Sequence, residues 1–273
     1  MNKSEQEYPL PTSELAQKYI TINVDDLGLS TAVNQAVIGL AEKKLIQSTS
    51  FMSLGHITND ERKQLEQLNV EIGLHLDFTG FAKKGSLGKV LLKSYLHQWS
   101  YGELKQLIDD QLSHFEDKIG HAPVFIDGHQ HAHQFPQIRD VLLEQIENRY
   151  NQKLPIRNTQ PIQNDFKAKM IFMLGGRAFE HQLKAKQWKC NQNFAGIYNF
   201  EATNEQLQHY WQTWLNLASD HGTVIMCHPA IPSSDWSDEI KSAREAEWHW
   251  LNSSAFKMMW DEQRCHAQFW STM

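Results

Sequence analysis

The sequence predicts an α/β fold in one domain, a barrel-like arrangement of short parallel strands alternating with helices. Three observations predict it. Apolar, β-branched segments alternate with stretches whose apolar residues recur at helical spacing. Polar residues capable of chemistry follow directly after several of those segments, as at the C-terminal face of parallel sheets. The 273 residues contain no internal repeat, low-complexity tract or linker, and an eight-fold barrel commonly needs about 250.

Residues 1–18 are polar and hold two prolines, which predicts a loose arm ahead of a single domain over 19–273. Residues 19–24 then read as a buried strand. Ser30 and Thr31 offer a cap for a helix whose apolar face is Val33, Ala36, Val37, Ile38 and Leu40. Residues 48–54 form the next strand, 61–68 a polar helix, and 70–76 a short branched strand suited to burial on both faces. Residues 78–100, rich in Gly, Lys and Ser and without steady periodicity, read as a long loop over a site. Leu104, Leu107, Ile108, Leu112 and Phe115 place a helix over 102–119. A strand at 123–127, a helix at 136–149 and a short strand at 154–157 follow. Residues 164–199 mix helix formers with Gly175 and Gly176 and contain no convincing strand, so a regular eight-fold barrel is not assured. A helix over 204–218, a strand at 223–227 and mostly helix over 239–259 complete the pattern.

Four polar clusters follow the predicted strands: Asp25-Asp26, His75, Asp127-Gly-His129-Gln-His131-Ala-His133, and His228. Each alone has an ordinary explanation, as a helix-entry acid pair, a satisfied core histidine or a solvated histidine-rich loop. Their recurrence at strand ends is the stronger signal. Two adjacent acids after a buried strand are presented at its end, one able to bind a metal and the other to act on water. In extended backbone His129, His131 and His133 would share one face, whereas a turn after His129 would redirect the other two toward substrate or solvent. One carboxylate with two histidines leaves coordination positions open for water and a substrate oxygen, as a hydrolytic metal centre needs. The same donor set serves some non-haem iron oxygenases; a second aspartate, available as a base, favours hydrolysis.

A net charge of −6 speaks against a nucleic-acid partner, which would favour a basic face. Cys190, Cys227 and Cys265 are odd in number and widely spaced, which suits neither a disulfide framework nor a zinc finger and points to a reducing compartment. The first residues carry no apolar stretch resembling a signal peptide, and no run approaches the roughly 20 apolar residues that cross a bilayer. A cytoplasmic protein without a membrane span is expected.

Asn23-Val24-Asp25-Asp26-Leu27-Gly28-Leu29-Ser30 resembles the opening motif of the YdjC-like carbohydrate deacetylases, which include chito-oligosaccharide deacetylases. Gln47-Ser48-Thr49-Ser50, Gly73-Leu74-His75, the stretch from Asp127 to Pro136 and Met226-Cys-His228-Pro-Ala230 follow in the family's order, and the match runs over about 19–251. The resemblance implies a distorted (β/α) barrel, TIM-barrel-like, and a metal-dependent hydrolase with a divalent metal, magnesium or zinc. It implies that Asp26, His75 and His129 hold the metal, that Asp25 activates a metal-bound water, and that His228 protonates the leaving amine. Arg157 falls where the family has an arginine near the catalytic acids, from which it would orient Asp25 by a bidentate pair. The substrate implied is an acetylated amino sugar or short oligosaccharide, and a homodimer is compatible with the family. Val24 and Leu27 stand where alanine and phenylalanine are usual, and 78–100 and 164–199 match poorly.

Substrate contacts are expected from His131, His133 and Trp236, the last in the polar segment shortly after His228. Trp99, Trp248 and Trp250 offer further flat faces, although aromatic residues more often fill cores. Two competing readings remain: another barrel metallohydrolase of the amidohydrolase kind, which a His131/His133 metal pair would favour, and a metal-containing sugar-binding protein without catalysis.

Overall fold

The computed structural model describes residues 17–273. Most of the expected arm at 1–18 lies outside the described residues, and Lys18 already opens the first strand. Seven strands form one sheet in which every pairing is parallel: β1 (Lys18–Leu27), β2 (Ser48–Phe51), β3 (Glu71–Leu76), β4 (Ile126–Gly128), β5 (Asn193–Ala195), β6 (Thr223–Cys227) and β7 (Cys265–Ala267). The order is β4-β3-β2-β1-β6-β5, with β7 beside the start of β1. Parallel neighbours need crossover connections, and the helices supply them: α1 (Thr31–Glu42), α2 (Asn59–Gln67), α3 (Leu87–Tyr95), α4 (Tyr101–Ile119), α5 (Ile138–Tyr150), α6 (Phe166–Ile171), α7 (Arg177–Ala185), α8 (Asn204–Leu217), α9 (Lys241–Leu251) and α10 (Ser254–Glu262). Among the described residues, single-residue bridges alone run between β4 and β5, the two ends of the order: Ile126 to Ile156, Ile156 to Cys190 and Pro161 to Phe194. The barrel is therefore distorted.

Alternation along the central strands divides the core. Ile20, Ile22 and Val24 of β1, with Ile225 and Cys227 of β6, pack into the large cluster shared with the helices. The intervening Val224 and Met226 join Phe125, Phe194 and Trp270 in a second cluster. There Trp270 stacks on Phe125 with centroids 4.6 Å apart. The remaining β1 positions of that register, Thr21, Asn23 and Asp25, are buried but polar. Such polar positions on a central strand require partners, and these partners build the site.

Several elements differ from the sequence reading. Residues 78–100 are not all loop: α3 lies within them, with Leu87, Val90 and Leu91 at helical spacing in a run too short to stand out among the surrounding Gly, Lys and Ser. The strand expected at 154–157 shrinks to the bridge at Ile156, because Pro155 and Pro161 lack the amide donors that a ladder needs. Residues 164–199 do contain a strand, the three-residue β5, behind α6, a widened turn at Phe172–Gly176 and α7. Gly175 makes that turn possible: its φ is 156°, and a Cβ there would lie 2.7 Å from the Gln134 carbonyl oxygen. By contrast α1 begins where expected, with Ser30 Oγ accepting the Val33 amide at 3.2 Å. Among the described residues no helix is long and apolar enough to cross a membrane, and all three cysteines are free thiols.

Candidate active site

Adjacent side chains on a strand point to opposite faces, so Asp25 and Asp26 could not serve one site from regular β-structure. The backbone resolves this. The β1–β2 register shifts between Val24 and Leu27, and Asp26 takes a left-handed φ of 69°, a sparsely populated conformation for a residue with a side chain. Gly28, at φ 92°, continues the turn with its Cα against the Phe51 ring, and its N–H donates to Asn34 Oδ1 at 2.7 Å. Both carboxylates consequently reach His75, whose Nε2 lies 3.2 Å from Asp26 Oδ1 and 4.0 Å from Asp25 Oδ2.

Asp26 sits at the centre of one group. His129 Nδ1 lies 3.0 Å from Asp26 Oδ1, and the ligand atoms of Asp26, His75 and His129 all fall within 4.8 Å of one another. His75 Nδ1 donates to Asp127 Oδ1 at 2.6 Å, so Nε2 is the ring nitrogen turned toward Asp26. Burial lowers the affinity of His75 for a proton, but the charge of Asp127 and the hydrogen bonds to Asp127 and Asp26 outweigh it, so its pKa is pushed up to about 10. The site thus draws positive charge. One carboxylate oxygen and two ring nitrogens converge there, and a cation would take the place of the proton on His75 Nε2.

Asp25 is held separately. Arg157 Nη1 donates to its Oδ2 and Nη2 to its Oδ1, both at 2.7 Å, and Asn23 Nδ2 donates to Oδ1 at 2.7 Å. Burial favours the neutral acid, but the Arg157 guanidinium overrides it and holds the carboxyl well below the usual range. Arg157 also pairs with Asp127. Asp25, His75 and Asp127 form a second group with converging ligand atoms, but both of its carboxylates are already paired with Arg157. The first group is the better cation site.

His228, after β6, has Nε2 3.9 Å from Asp25 Oδ2 and its ring edge-on to Phe200, centroids 5.4 Å apart. Burial lowers its pKa to about 4, so the imidazole is uncharged at neutral pH. Asp25, Asp26, His75, His129, Arg157 and His228 are therefore assembled in one place.

The other expected residues are not equivalent. His129, His131 and His133 do not share an extended face, because Gln130 and His131 both turn to left-handed φ. His131 packs edge-on to Phe194, centroids 5.5 Å apart, with Nδ1 unpartnered among the described residues. His133 is fully buried and its Nε2 donates to the Arg157 carbonyl at 3.0 Å, so it faces the arginine and is closed to a substrate. Neither joins a potential metal group among the described residues. Trp236 is half-buried in a small apolar cluster with Leu29, Ala32, Val33, Ala230 and Ile231, beside the turns after Asp26 and His228. Trp99 and Trp250 are buried core residues, and Trp248 packs on Gly39 under Lys43.

Sequence reasoning overlooked three contributors. Asp127 belonged to a noted cluster but had no role assigned. Arg244 Nη2 donates to Asp26 Oδ2 at 2.7 Å. Glu247 accepts the His228 backbone N–H and the Tyr198 hydroxyl at 2.7 Å. The available signal was that Arg244 and Glu247 fall on the same face of α9 as Ala243, Trp250 and Leu251, where an amphipathic helix should be apolar.

A family model described as YdjC-like protein matches residues 19–262. Among curated relatives, the chain is 26% identical over 140 residues to a chitooligosaccharide deacetylase of Citrobacter koseri, covering 45% of this chain and 53% of that protein. It is 28% identical over 143 residues to one of Salmonella schwarzengrund, again 45% and 53%. The chain thus spans about half the length of the curated relatives it matches. In fold it is similar to a crystal structure from Enterococcus faecalis V583, named for cellobiose-phosphate cleavage, with a TM-score of 0.68 at 18% identity over 93% of this chain and 98% of that one.

Proposed function

The chain belongs to the YdjC-like family, and on that premise we propose that it is a hydrolase removing the N-acetyl group from an acetylated amino sugar or short oligosaccharide. What supports this most is the convergence of Asp26 Oδ1, His75 Nε2 and His129 Nδ1 beside a second carboxylate, Asp25, that is held apart by its own arginine. In this reading Asp26, His75 and His129 hold a divalent cation. Two imidazoles among three donors suit zinc or a neighbouring transition metal better than magnesium, which prefers oxygen ligands. Such a cation, when bound, polarises the acetyl carbonyl and acidifies water.

The chain's own groups move the protons. Arg157 keeps Asp25 ionised through the neutral range, and Asp25 takes the proton of the attacking water at Oδ2, the oxygen that faces His75 and His228. The C–N bond breaks as the amine nitrogen receives a proton from His228 Nε2, releasing acetate and the free amine. His228 is uncharged at rest, so its proton arrives during the reaction; Asp25 Oδ2, 3.9 Å away, can relay it. His131 and Trp236, each with a ring nitrogen unpartnered among the described residues, are the candidates for contact with the sugar.

Acetate release from N,N′-diacetylchitobiose tests the proposal, comparing metal-loaded protein, chelator-treated protein and Asp25→Asn. Release that needs metal and is lost in the variant is expected. Metal-loaded protein that releases no acetate from this or longer acetylated chito-oligosaccharides would overturn it.

A further inference from the structure

Two buried charged residues of α9 lie one helical turn apart and reach different sides of the site. Arg244 and Glu247 are each 2% exposed. Arg244 spans three partners: Nη2 donates to Asp26 Oδ2 at 2.7 Å, Nη1 to the His228 carbonyl at 3.5 Å, and Nε to Asp238. Its own carbonyl accepts the Ala230 amide at 3.1 Å, so the chain after β6 is tied to α9 at two points. Glu247 accepts the His228 amide through Oε2 and, through Oε1, the buried Tyr198 hydroxyl. A buried ion that makes no contact with water is costly unless its geometry is satisfied. Here both side chains use their hydrogen-bonding capacity on the posture of two site residues.

We propose that Arg244 and Glu247 are positioning residues, Arg244 orienting the Asp26 carboxylate and Glu247 the backbone that carries the His228 imidazole, so that α9 sets where the cation-holding acid stands relative to the proton donor. The inference rests on the deacetylase reading of the same site. Arg244 occupies Oδ2 of Asp26 and leaves Oδ1 to His75 and His129, which aims one oxygen at the cation position. Outer partners of this kind are worth about ten- to a hundredfold in metal affinity. Among the described residues Glu247 touches no donor of the cation group, so its removal frees the His228 amide and the Tyr198 hydroxyl and leaves the cation donors in place.

The test titrates Zn2+ alone into the chain by calorimetry for wild type, Arg244→Lys, Arg244→Met, Glu247→Ala, Glu247→Asp and Glu247→Gln. It also records the His228 imidazole resonance, identified by its loss in His228→Gln. Both Arg244 variants should weaken Zn2+ binding about ten- to hundredfold, and lysine should not rescue, because a point charge cannot reproduce the guanidinium fork. Glu247→Ala should leave Zn2+ affinity within about twofold while displacing the His228 resonance. Glutamine, which keeps an acceptor, should return that resonance toward wild type, as no general loss of packing would. Should alanine or methionine prevent folding, aspartate, one methylene short, and lysine carry the same expectations. Unchanged Zn2+ affinity in the folded Arg244 variants, or an unmoved His228 resonance in Glu247→Ala or Glu247→Asp, overturns the proposal and leaves the deacetylase reading standing. Wild-type protein that binds no Zn2+ overturns both.

Discussion

Arg157 meets Asp25 fork to fork, Nη1 on Oδ2 and Nη2 on Oδ1 at 2.7 Å each, with the guanidinium wholly buried. This pair separates the two neighbouring acids into different jobs. Asp25 is locked and charged by its own cation, whereas Asp26 directs Oδ1 at two imidazoles.

Arg157→Lys should therefore behave as a severe change. A lysine keeps the charge but cannot fill both Asp25 oxygens. We expect a loss of about 3 kcal/mol or more in urea unfolding, the scale of breaking a buried pair, with acetate release down by about a hundredfold or more. Near wild-type stability and turnover in this variant would contradict the assigned role.

Asp25→Asn and Asp26→Asn should part company. Asp25→Asn should keep cation affinity within a few-fold and lose turnover; Asp26→Asn should lose cation affinity itself. Calorimetry alongside acetate release distinguishes them, and equal loss of cation from both would refute the division of labour.

Acid should destabilise the metal-free protein through the buried histidines whose pKa burial lowers, His131, His133 and His228. The pKa of His133, lowered by burial to about 4 from an ordinary 6.5, is depressed in the folded state, so only the unfolded chain takes up its proton between those values. Its contribution to stability is complete above about 6.5 and is lost as pH falls toward 4, up to about 3 kcal/mol. His133→Gln can still donate to the Arg157 carbonyl and should flatten this decline. Urea midpoints between pH 7.5 and 4.5, with chelator present, give the comparison; parallel slopes for the two proteins would refute it.

Gly28→Ala should destabilise by about 1–3 kcal/mol. Its φ is 92° and the added Cβ would lie 2.6 Å from Phe51 Cε2. Because Gly28 continues the turn begun at Asp26, cation affinity should fall with stability. Denaturant unfolding and calorimetry on one preparation check both, and an unperturbed variant would show that the turn tolerates a side chain.

The strand ends were legible because chemistry at a parallel sheet sits there, so the clusters at Asp25-Asp26, His75, Asp127 to His133 and His228 could be marked from the residues, while the choice of His129 among the histidines came from the family resemblance. Helix α1 announced itself through Ser30 and a clean apolar stripe. The posture of the acid pair was not legible: regular alternation would send Asp25 and Asp26 apart, and only the left-handed φ at Asp26 brings them together. For the histidine tract both a shared extended face and a turn after His129 were open from the residues, and the left-handed φ of Gln130 and His131 is that turn. Arg244 and Glu247 were hidden differently. They look like surface charges on a helix, and their burial depends on partners more than 200 and about 20 positions away, Asp26 and His228.

Strand β1 carries both acids, and its first residues are flanked by β7, with Lys18 opposite Cys265 and Ile20 opposite Ala267. Pairing across so long a separation must overcome loop-closure entropy before it brings any gain, which makes it a late event in folding. Strand β1 thus pairs with β2 close by in sequence, while its pairings with β6 and β7 wait on residues far along the chain. A chain cut before β7 would hold every residue of the site and still leave the first residues of β1 without that neighbour, so the posture of both acids should suffer from a truncation that removes neither.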